Sequence, residues 1–307
     1  MKIYAGTYTV KDSKGIYRFE FEDGNLSDPE LFCAVRSSKY LCSYGDKIIT
    51  ICDGEEKSGL SLIDEKGTVL DTLLFEKPSS CYVTVHDDLI YTANYHAGTL
   101  SRLRIREDKF ELLKSVSIRD KAGCHQVLFH EDKILVPALF LDKVLIFNED
   151  LDRIGEIAFP EGSGPRHGIF NKDHTRLYLV SELSNELFLI DPETMEIIDS
   201  IGLLENGEKH VEGTAAVRLD QKESFLYVST RGKNVLSVID VREKPKLIQN
   251  ADCGGDHPRD FILTDNCLLC ADRFSDEVVC FRIEEDGLIG EECGRIGVPE
   301  AVCLIGA

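Results

Sequence analysis

Short apolar segments recur along the whole chain and are separated by clusters of Gly, Asp and Asn. The clearest of them are KIITICD, LIYTANY, KILVPAL, RLYLVSE, FLYVSTR and CLLCADR. Runs that are rich in β-branched and aromatic residues and bounded by turn-forming residues predict β-strands. No stretch of 12 residues shows a convincing 3.6-residue apolar period. The sequence therefore predicts an all-β protein with very little helix.

The predicted strands fall into units of four. In one unit, GPRHGIF is followed by NKDHTRLYLVSE, NELFLID and MEIIDSIGLL. Four of the prolines that open such units, Pro78, Pro165, Pro258 and Pro299, are separated by 87, 93 and 41 residues. These intervals correspond to two units, two units and one unit. A four-strand repeat of about 40 to 50 residues is typical of a β-propeller.

The weaker units complete a set of seven. Their predicted openings lie near Ser38, Pro78, Cys124, Pro165, Gly213, Pro258 and Pro299. The last opening is followed by one strand, and three strands (KIYAGTYT, GIYRFEF and LFCAV) precede the first opening. Joined together, these four strands form one blade and leave no free sheet edge at the seam. A β-sandwich, or a pair of them, is the alternative, but sandwiches do not usually keep a four-strand period over a whole chain.

The resulting prediction is a single domain over residues 1–307. It is a seven-bladed β-propeller with four antiparallel strands per blade, and the C-terminal strand joins the N-terminal blade to close the ring. Since the chain contains no Trp, the repeat is not of the WD type.

Composition narrows the range of partners. The chain has 35 Lys and Arg residues against 55 Asp and Glu residues, a formal net charge of −20. So acidic a surface repels phosphate backbones and anionic lipids, and we expect no binding to nucleic acid or to membranes. The 11 cysteines follow no disulfide framework and suit a reducing compartment. With no apolar signal segment in MKIYAGTYTV, we expect a soluble cytoplasmic protein, either a monomer or a homodimer.

Polar residues are concentrated at two kinds of position that meet at one mouth of a propeller channel. The starts of first strands supply His125, Arg166, His167, Arg259 and Glu300, and the loops between second and third strands supply Asn94, Tyr95, His96, Glu182, Arg231 and Arg273. Several guanidinium groups at one mouth repel each other unless an anion joins them, and their planar fork matches a carboxylate or a phosphate. A nearby carboxylate and imidazole are candidates for acid–base work. The pattern therefore predicts a small anionic substrate and a proton-transfer or hydrolytic step.

These residues also carry a resemblance to a known family. The segments YAGTYT, GIYRFEFEDG, ANYHAGTLS, GCHQ, GPRHGIF, VSELSN, YVSTRGKNVLSV and HPRDF resemble, in order and at blade spacing, the seven-bladed propeller lactonases. That family includes 6-phosphogluconolactonases and carboxy-cis,cis-muconate cyclases. The resemblance implies that the catalytic residues are His125, Arg166, Glu182 and Arg231. We expect the substrate-binding residues to be Asn94, Tyr95, His167, Arg259 and Arg273.

Two departures from the family pattern leave the substrate open. Arg273 stands where the family often has an amide, and the sixth unit opens with EGTAAV. The leading hypothesis is hydrolysis of 6-phosphoglucono-δ-lactone to 6-phosphogluconate, with Glu182 or His125 as general base and no metal or cofactor. The alternatives are another lactone or a cyclisation, such as that of a carboxy-muconate, and a non-catalytic interaction scaffold.

Simpler structural roles compete with these functional ones. Arg166 and Arg259 follow prolines and could bind carbonyl groups of neighbouring blades, while Glu182 could be only their ion-pair partner. Cys267 and Cys270 form a C-x-x-C within a predicted strand. Residues three apart in a strand point to opposite faces, so we expect neither a metal pair nor a redox pair from them.

Overall fold

Strand pairing divides the chain into seven antiparallel sheets in a computed structural model that describes residues 1–208 and 213–306. We number the blades from the composite one. Blade 1 contains β29 (Ala301–Gly306), β1 (Lys2–Thr7), β2 (Ile16–Glu22), β3 (Asn25–Leu26) and β4 (Glu30–Cys33), with both β3 and β4 pairing with β2. Blade 2 contains β5 (Leu41–Tyr44), β6 (Lys47–Asp53), β7 (Ser58–Ile63) and β8 (Val69–Glu76). Blade 3 contains β9 (Tyr82–His86), β10 (Leu89–Asn94), β11 (Thr99–Arg106) and β12 (Lys109–Ser117). Blade 4 contains β13 (Leu128–His130), β14 (Lys133–Ala138), β15 (Lys143–Phe147) and β16 (Arg153–Ala158). Blade 5 contains β17 (Pro165–Phe170), β18 (Leu177–Ser181), β19 (Glu186–Asp191) and β20 (Glu196–Gly202). Blade 6 contains β21 (Thr214–Leu219), β22 (Phe225–Thr230), β23 (Val235–Asp240) and β24 (Lys246–Asp252). Blade 7 contains β25 (Pro258–Leu263), β26 (Cys267–Asp272), β27 (Glu277–Ile283) and β28 (Ile289–Gly297).

The seven-bladed propeller is confirmed. Every first strand begins within four residues of its predicted opening; β17 and β25 start at Pro165 and Pro258 themselves. The ring closes as predicted, because β29 pairs antiparallel with β1, with Tyr4 opposite Ile305. The sandwich alternative is wrong. In the described part of the chain, helix is limited to two 3₁₀ turns, Leu139–Leu141 and Glu205–Gly207.

The core lies between neighbouring blades. Strand β26 is buried at all six positions, whereas the outer strand β20 alternates between exposed and half-buried residues. An inner strand is covered on both faces by adjacent sheets, so it carries a continuous apolar run instead of an alternating one. Packing of this kind holds the first strands around the channel and fixes the loops that leave them. No helix within the described ranges has the length and apolar character to cross a membrane.

Candidate active site

A buried cluster of two arginines and one glutamate lies at the channel mouth. Arg166 Nε donates a hydrogen bond of 2.7 Å to Glu182 Oε2, and Arg231 Nη2 lies 2.9 Å from the same oxygen. Arg166 Nη1 also donates to the carbonyl of Ala215, and Arg231 Nε donates to that of Gly213 at 3.1 Å. The arginines are 2% and 6% exposed. The structure thus brings three of the four predicted catalytic residues together.

The charges in this cluster do not balance. Burial raises the pKa of the Glu182 carboxyl, but the guanidinium groups of Arg231, Arg166 and Arg259 outweigh burial and hold that pKa below its usual value. Burial also lowers the pKa of Arg166 to about 9, against the opposing effect of Glu182. All the groups are therefore charged at neutral pH, and two cations share one carboxylate.

The fourth predicted catalytic residue, His125, is paired with another histidine. Its Nδ1 lies 3.0 Å from His167 Nε2, so one ring donates a hydrogen bond to the other. Burial, followed by the charge of Arg166, lowers the pKa of both imidazoles well below the usual value. Both rings are therefore neutral at pH 7. If His125 Nδ1 is the donor, its Nε2 is left as a free proton acceptor.

A cavity of about 350 Å³, including the solvent space at its opening, joins these groups. Its lining consists of Tyr8, Lys39, Tyr40, Cys81, His125, Arg166, His167, Arg259, Asp260 and Val302. Four predicted site residues line it directly. Glu182 and Arg231 are outside this lining; Glu182 is ion-paired with Arg166, which lines the cavity, and Arg231 is ion-paired with Glu182.

Two cations of blade 7 surround a tyrosine of blade 1. The guanidinium carbon of Arg273 lies 4.0 Å from the centre of the Tyr8 ring, and that of Arg259 lies 5.8 Å from it. Burial raises the pKa of the Tyr8 phenol, but the charges of Arg259, Lys39 and Arg273 outweigh burial and lower it. A hydroxyl with a lowered pKa in a cationic cavity is suited to donate a strong hydrogen bond to an anion.

The sequence of this propeller matches one family along its whole length. The profile described as "Lactonase, 7-bladed beta-propeller" matches residues 2–305. The chain belongs to this lactonase family. It is 28% identical to the 6-phosphogluconolactonase of Bacillus subtilis, over 98% of this chain and 97% of that one.

Solved structures agree with this assignment. A protein from Lactobacillus plantarum superposes with a TM-score of 0.90 at 27% identity, over 99% of this chain and 98% of that one. A putative 6-phosphogluconolactonase from Bacteroides uniformis superposes with a TM-score of 0.87 at 26% identity, over the same shares of the two chains.

Some predicted residues of this lactonase-family chain lie outside the cavity lining. Asn94 is fully buried, and its Nδ2 donates to Glu76 Oε2 at 2.9 Å and to the carbonyl of Pro78 at 2.6 Å. These bonds fix the loop after β10. Tyr95 is half-buried beside the cavity, where its ring packs edge-on against His125.

Glu300, a predicted first-strand residue, holds the loop that carries Tyr8. It is 1% exposed, and its Oε2 accepts hydrogen bonds from the backbone N–H groups of Val10 and Lys11 at 2.9 and 2.8 Å. Its role is therefore to position this loop of blade 1 rather than to line the cavity.

Sequence reasoning missed Tyr8 and Lys39. Tyr8 lies in the loop after β1, which is the second strand of the composite blade, and Lys39 lies just before the first strand of blade 2. Tyr8 follows a second strand and Lys39 lies near the start of a first strand, which are the two kinds of position that supplied the other candidates. Applying the same positional rule to all seven blades would have found them.

A second ion pair lines the same channel. Arg218 Nη2 donates to Asp260 Oδ1 at 2.7 Å, and the backbone N–H of Leu304 donates to Asp260 Oδ2 at 3.1 Å. The rings of Tyr40 and Tyr82 pack together close by, with centroids 4.6 Å apart. In contrast to the cluster around Glu182, this pair has one cation for one carboxylate.

Proposed function

We propose that the protein hydrolyses an anionic sugar lactone, with 6-phosphoglucono-δ-lactone as its substrate. The excess of cations at the mouth carries the proposal. The cations are Lys39, Arg166, Arg231, Arg259 and Arg273. Glu182 is the carboxylate that pairs with Arg166 and Arg231, while Asp260 is paired with Arg218. Within the described residues, the guanidinium groups of Arg259 and Arg273 make no hydrogen bond or ion pair and are available to a phosphate.

The lactone is suggested by family membership and by the relative named 6-phosphogluconolactonase. A phosphorylated lactone supplies the negative charge that the five cations lack. Converging cations also favour an enzyme over an interaction scaffold, for which we expected no anion site. The cytoplasmic location and the monomeric or dimeric state stay predictions.

We assign the general base to His125 rather than to Glu182. Oxygen Oε2 of Glu182 is occupied by two guanidinium groups. His125 is neutral, lines the cavity and has its Nδ1 held by His167. In this scheme Glu182 orients Arg166 and Arg231.

The reaction then proceeds in two proton transfers. His125 Nε2 accepts a proton from water as the water oxygen attacks the lactone carbonyl carbon. The guanidinium of Arg166 stabilises the oxyanion that forms. When the bond from the carbonyl carbon to the ring oxygen breaks, the imidazolium returns the proton to that oxygen, which leaves a carboxylic acid that ionises and an open-chain hydroxyl.

The test is hydrolysis of freshly prepared 6-phosphogluconolactone, coupled to oxidation of the product by an NADP-dependent dehydrogenase. This lactone opens spontaneously, so each rate is compared with a blank without the protein. Unphosphorylated gluconolactone is the matched substrate, and the loss of its phosphate contacts should reduce kcat/KM by about 100-fold. Equal kcat/KM values for the two lactones would contradict the phosphate site. A rate equal to the blank would exclude this substrate.

A further inference from the structure

Three cysteines of blade 7 face one another away from the channel. Cys267 begins β26, Cys280 lies in β27 and Cys293 lies in β28. Their sulfur atoms all lie within 4.8 Å of one another, and those of Cys280 and Cys293 are 3.3 Å apart. Cys267 and Cys280 are fully buried, Cys293 is half-buried, and all three are free thiols. The blade thus holds a compact triangle of sulfur atoms.

Strand register explains why the three side chains share one face. Cys267 pairs with Arg282, and Cys280 lies two residues before Arg282 on the same strand. Cys280 pairs with Gly294 while Phe281 pairs with Glu292, so Cys293 is the extra residue of a β-bulge. The bulge turns its side chain toward the other two. Cys270, three residues after Cys267, faces away and donates to Asp272 at 3.6 Å, as the C-x-x-C spacing predicted.

We propose that Cys267, Cys280 and Cys293 form a three-coordinate site for Cu(I). An ion held at about 2.3 Å by three thiolates in a plane places the sulfur atoms roughly 4 Å apart, which the triangle can match with small side-chain shifts. Thiolates are soft ligands that suit Cu(I), zinc and iron–sulfur clusters, and a site with only three of them favours Cu(I). A structural zinc site takes four ligands. Within residues 1–208 and 213–306, no fourth Cys, His, Asp or Glu joins this group.

An occupied site would be an anionic complex with one ion pair, Arg282–Asp23, beside it. Each ligating thiol releases its proton to solvent, so three thiolates and one monovalent ion leave two negative charges. Arg282 Nη1 lies 3.6 Å from Cys267 Sγ and offsets part of that charge. The same guanidinium donates to Asp23 Oδ1 at 2.6 Å, in the turn of blade 1 that covers the cluster.

The site lies where the propeller ring closes. Cys267, Cys280 and Cys293 pack in one apolar cluster with Ile3 and Phe19 of blade 1. Gly24 of blade 1 also lies against the site, since a Cβ there would be 3.1 Å from Cys293 Sγ. A metal ion bound here would link β26, β27 and β28 of blade 7 at the side of the blade that packs against blade 1. Because such an ion binds the native state, it should raise the melting temperature.

The experiment is anaerobic titration of the reduced full-length protein with Cu(I), in competition with a chromophoric Cu(I) chelator. The variants are Cys293→Ser, at the half-buried position, and Cys280→Ser. The matched control is Cys42→Ser, which changes a half-buried free thiol of blade 2. Circular dichroism confirms that each variant is folded.

The expected result is one Cu(I) per chain for the unmodified protein and the control. Loss of a residue that only supports a metal ligand weakens metal binding roughly 10- to 100-fold. Loss of one of the three ligands should weaken Cu(I) binding by more than that. The rise in melting temperature with Cu(I) should vanish in Cys293→Ser. An affinity unchanged in Cys293→Ser would overturn the site, and tighter binding of Zn(II) than of Cu(I) in the same assay would overturn the choice of metal.

Discussion

Two buried ion-pair groups line the same channel, and they differ in charge balance. Arg218 of blade 6 binds Asp260 of blade 7, whose second oxygen accepts the N–H of Leu304 in blade 1. In the other group, Arg166 and Arg231 share one oxygen of Glu182. The balanced pair links three blades and satisfies its own charges. An anion bound to the unbalanced group would offset its excess positive charge, so charge balance distinguishes a structural pair from a candidate site.

The difference extends to the neighbouring groups. Arg231, Arg259 and Arg273 add to the burial that lowers the pKa of His257 to about 3. Arg218, in contrast, keeps its pKa raised, because Asp260 and then Tyr40 outweigh its burial. Removing one charge from each group should therefore have opposite consequences for activity and for stability.

Arg231→Ala tests the unbalanced group and should have the largest effect. Glu182 keeps Arg166 as its partner, so the melting temperature should change by less than about 3 °C. Loss of one preorganised cation should lower kcat/KM for the phosphorylated lactone by about 100- to 1000-fold. Coupled kinetics and thermal melting measure the two effects. Arg242→Ala, which changes an exposed arginine paired with Asp240, is the control and should leave both unchanged.

A large fall in melting temperature for Arg231→Ala, with kcat/KM little changed, would contradict the comparison. It would mean that this guanidinium supports the loop through its bond to Gly213 and takes no part in the reaction.

Asp260→Asn tests the balanced pair. The change leaves the Arg218 guanidinium, which is 29% exposed, without its counter-charge. Because solvent screens part of that charge, we expect the free energy of unfolding to fall by about 2 kcal/mol, measured by urea denaturation. Asp240→Asn breaks an exposed pair and should cost less than about 0.5 kcal/mol. Equal costs for the two variants would show that Asp260 does not hold the blades together.

The sequence predicted the unbalanced group better than the balanced one. Arg166, Glu182 and Arg231 occupy repeat positions that converge at the mouth, and a positional rule identifies such residues without coordinates. Arg218 and Asp260 lie four and two residues after the starts of their first strands, where spacing gives no sign that they meet. Their pairing depends on the strand offset between blades, which is a property of the closed ring.

The fold was predictable because the four-strand repeat and its composite blade are visible in the spacing of turns and prolines. Side-chain direction was not. Asn94 ends β10 at the mouth, but its amide turns inward to Glu76, and this depends on the local hydrogen-bond geometry. The thiol triangle depends on a bulge at Cys293, which no C-x-x-C or C-x-x-H spacing marks.

Inorganic phosphate should stabilise the protein through the unbalanced group. A ligand at ten times its Kd adds about 1.4 kcal/mol to the free energy of unfolding, a rise in melting temperature of roughly 3 °C for a chain of this size. Thermal melting with phosphate, at ionic strength matched with chloride, measures the effect. Arg259→Met should abolish the rise, since this guanidinium makes no ion pair within the described residues. The same rise in Arg259→Met would place the phosphate elsewhere.

The pH dependence of stability should report the lowered pKa of His257, which results from burial and then from the charges of Arg231, Arg259 and Arg273. This histidine is 6% exposed, its ring packs against Phe274, and its native pKa of about 3 lies below the usual value of 6.5. When the pH falls through about 6.5, this histidine therefore takes up a proton in the unfolded chain but not in the native state. The free energy of unfolding falls as a result. For one such histidine the loss between pH 7 and pH 5.5 is about 1 kcal/mol, and His257→Gln should remove it from urea-denaturation curves. His86→Gln changes a more exposed histidine beside Asp87. In this control, the free energy of unfolding should differ between pH 7 and pH 5.5 by as much as in the unmodified protein. If His257→Gln also left it unchanged, burial and the guanidinium groups together would not lower the pKa of His257, and this contrast with the Arg218–Asp260 pair would be lost.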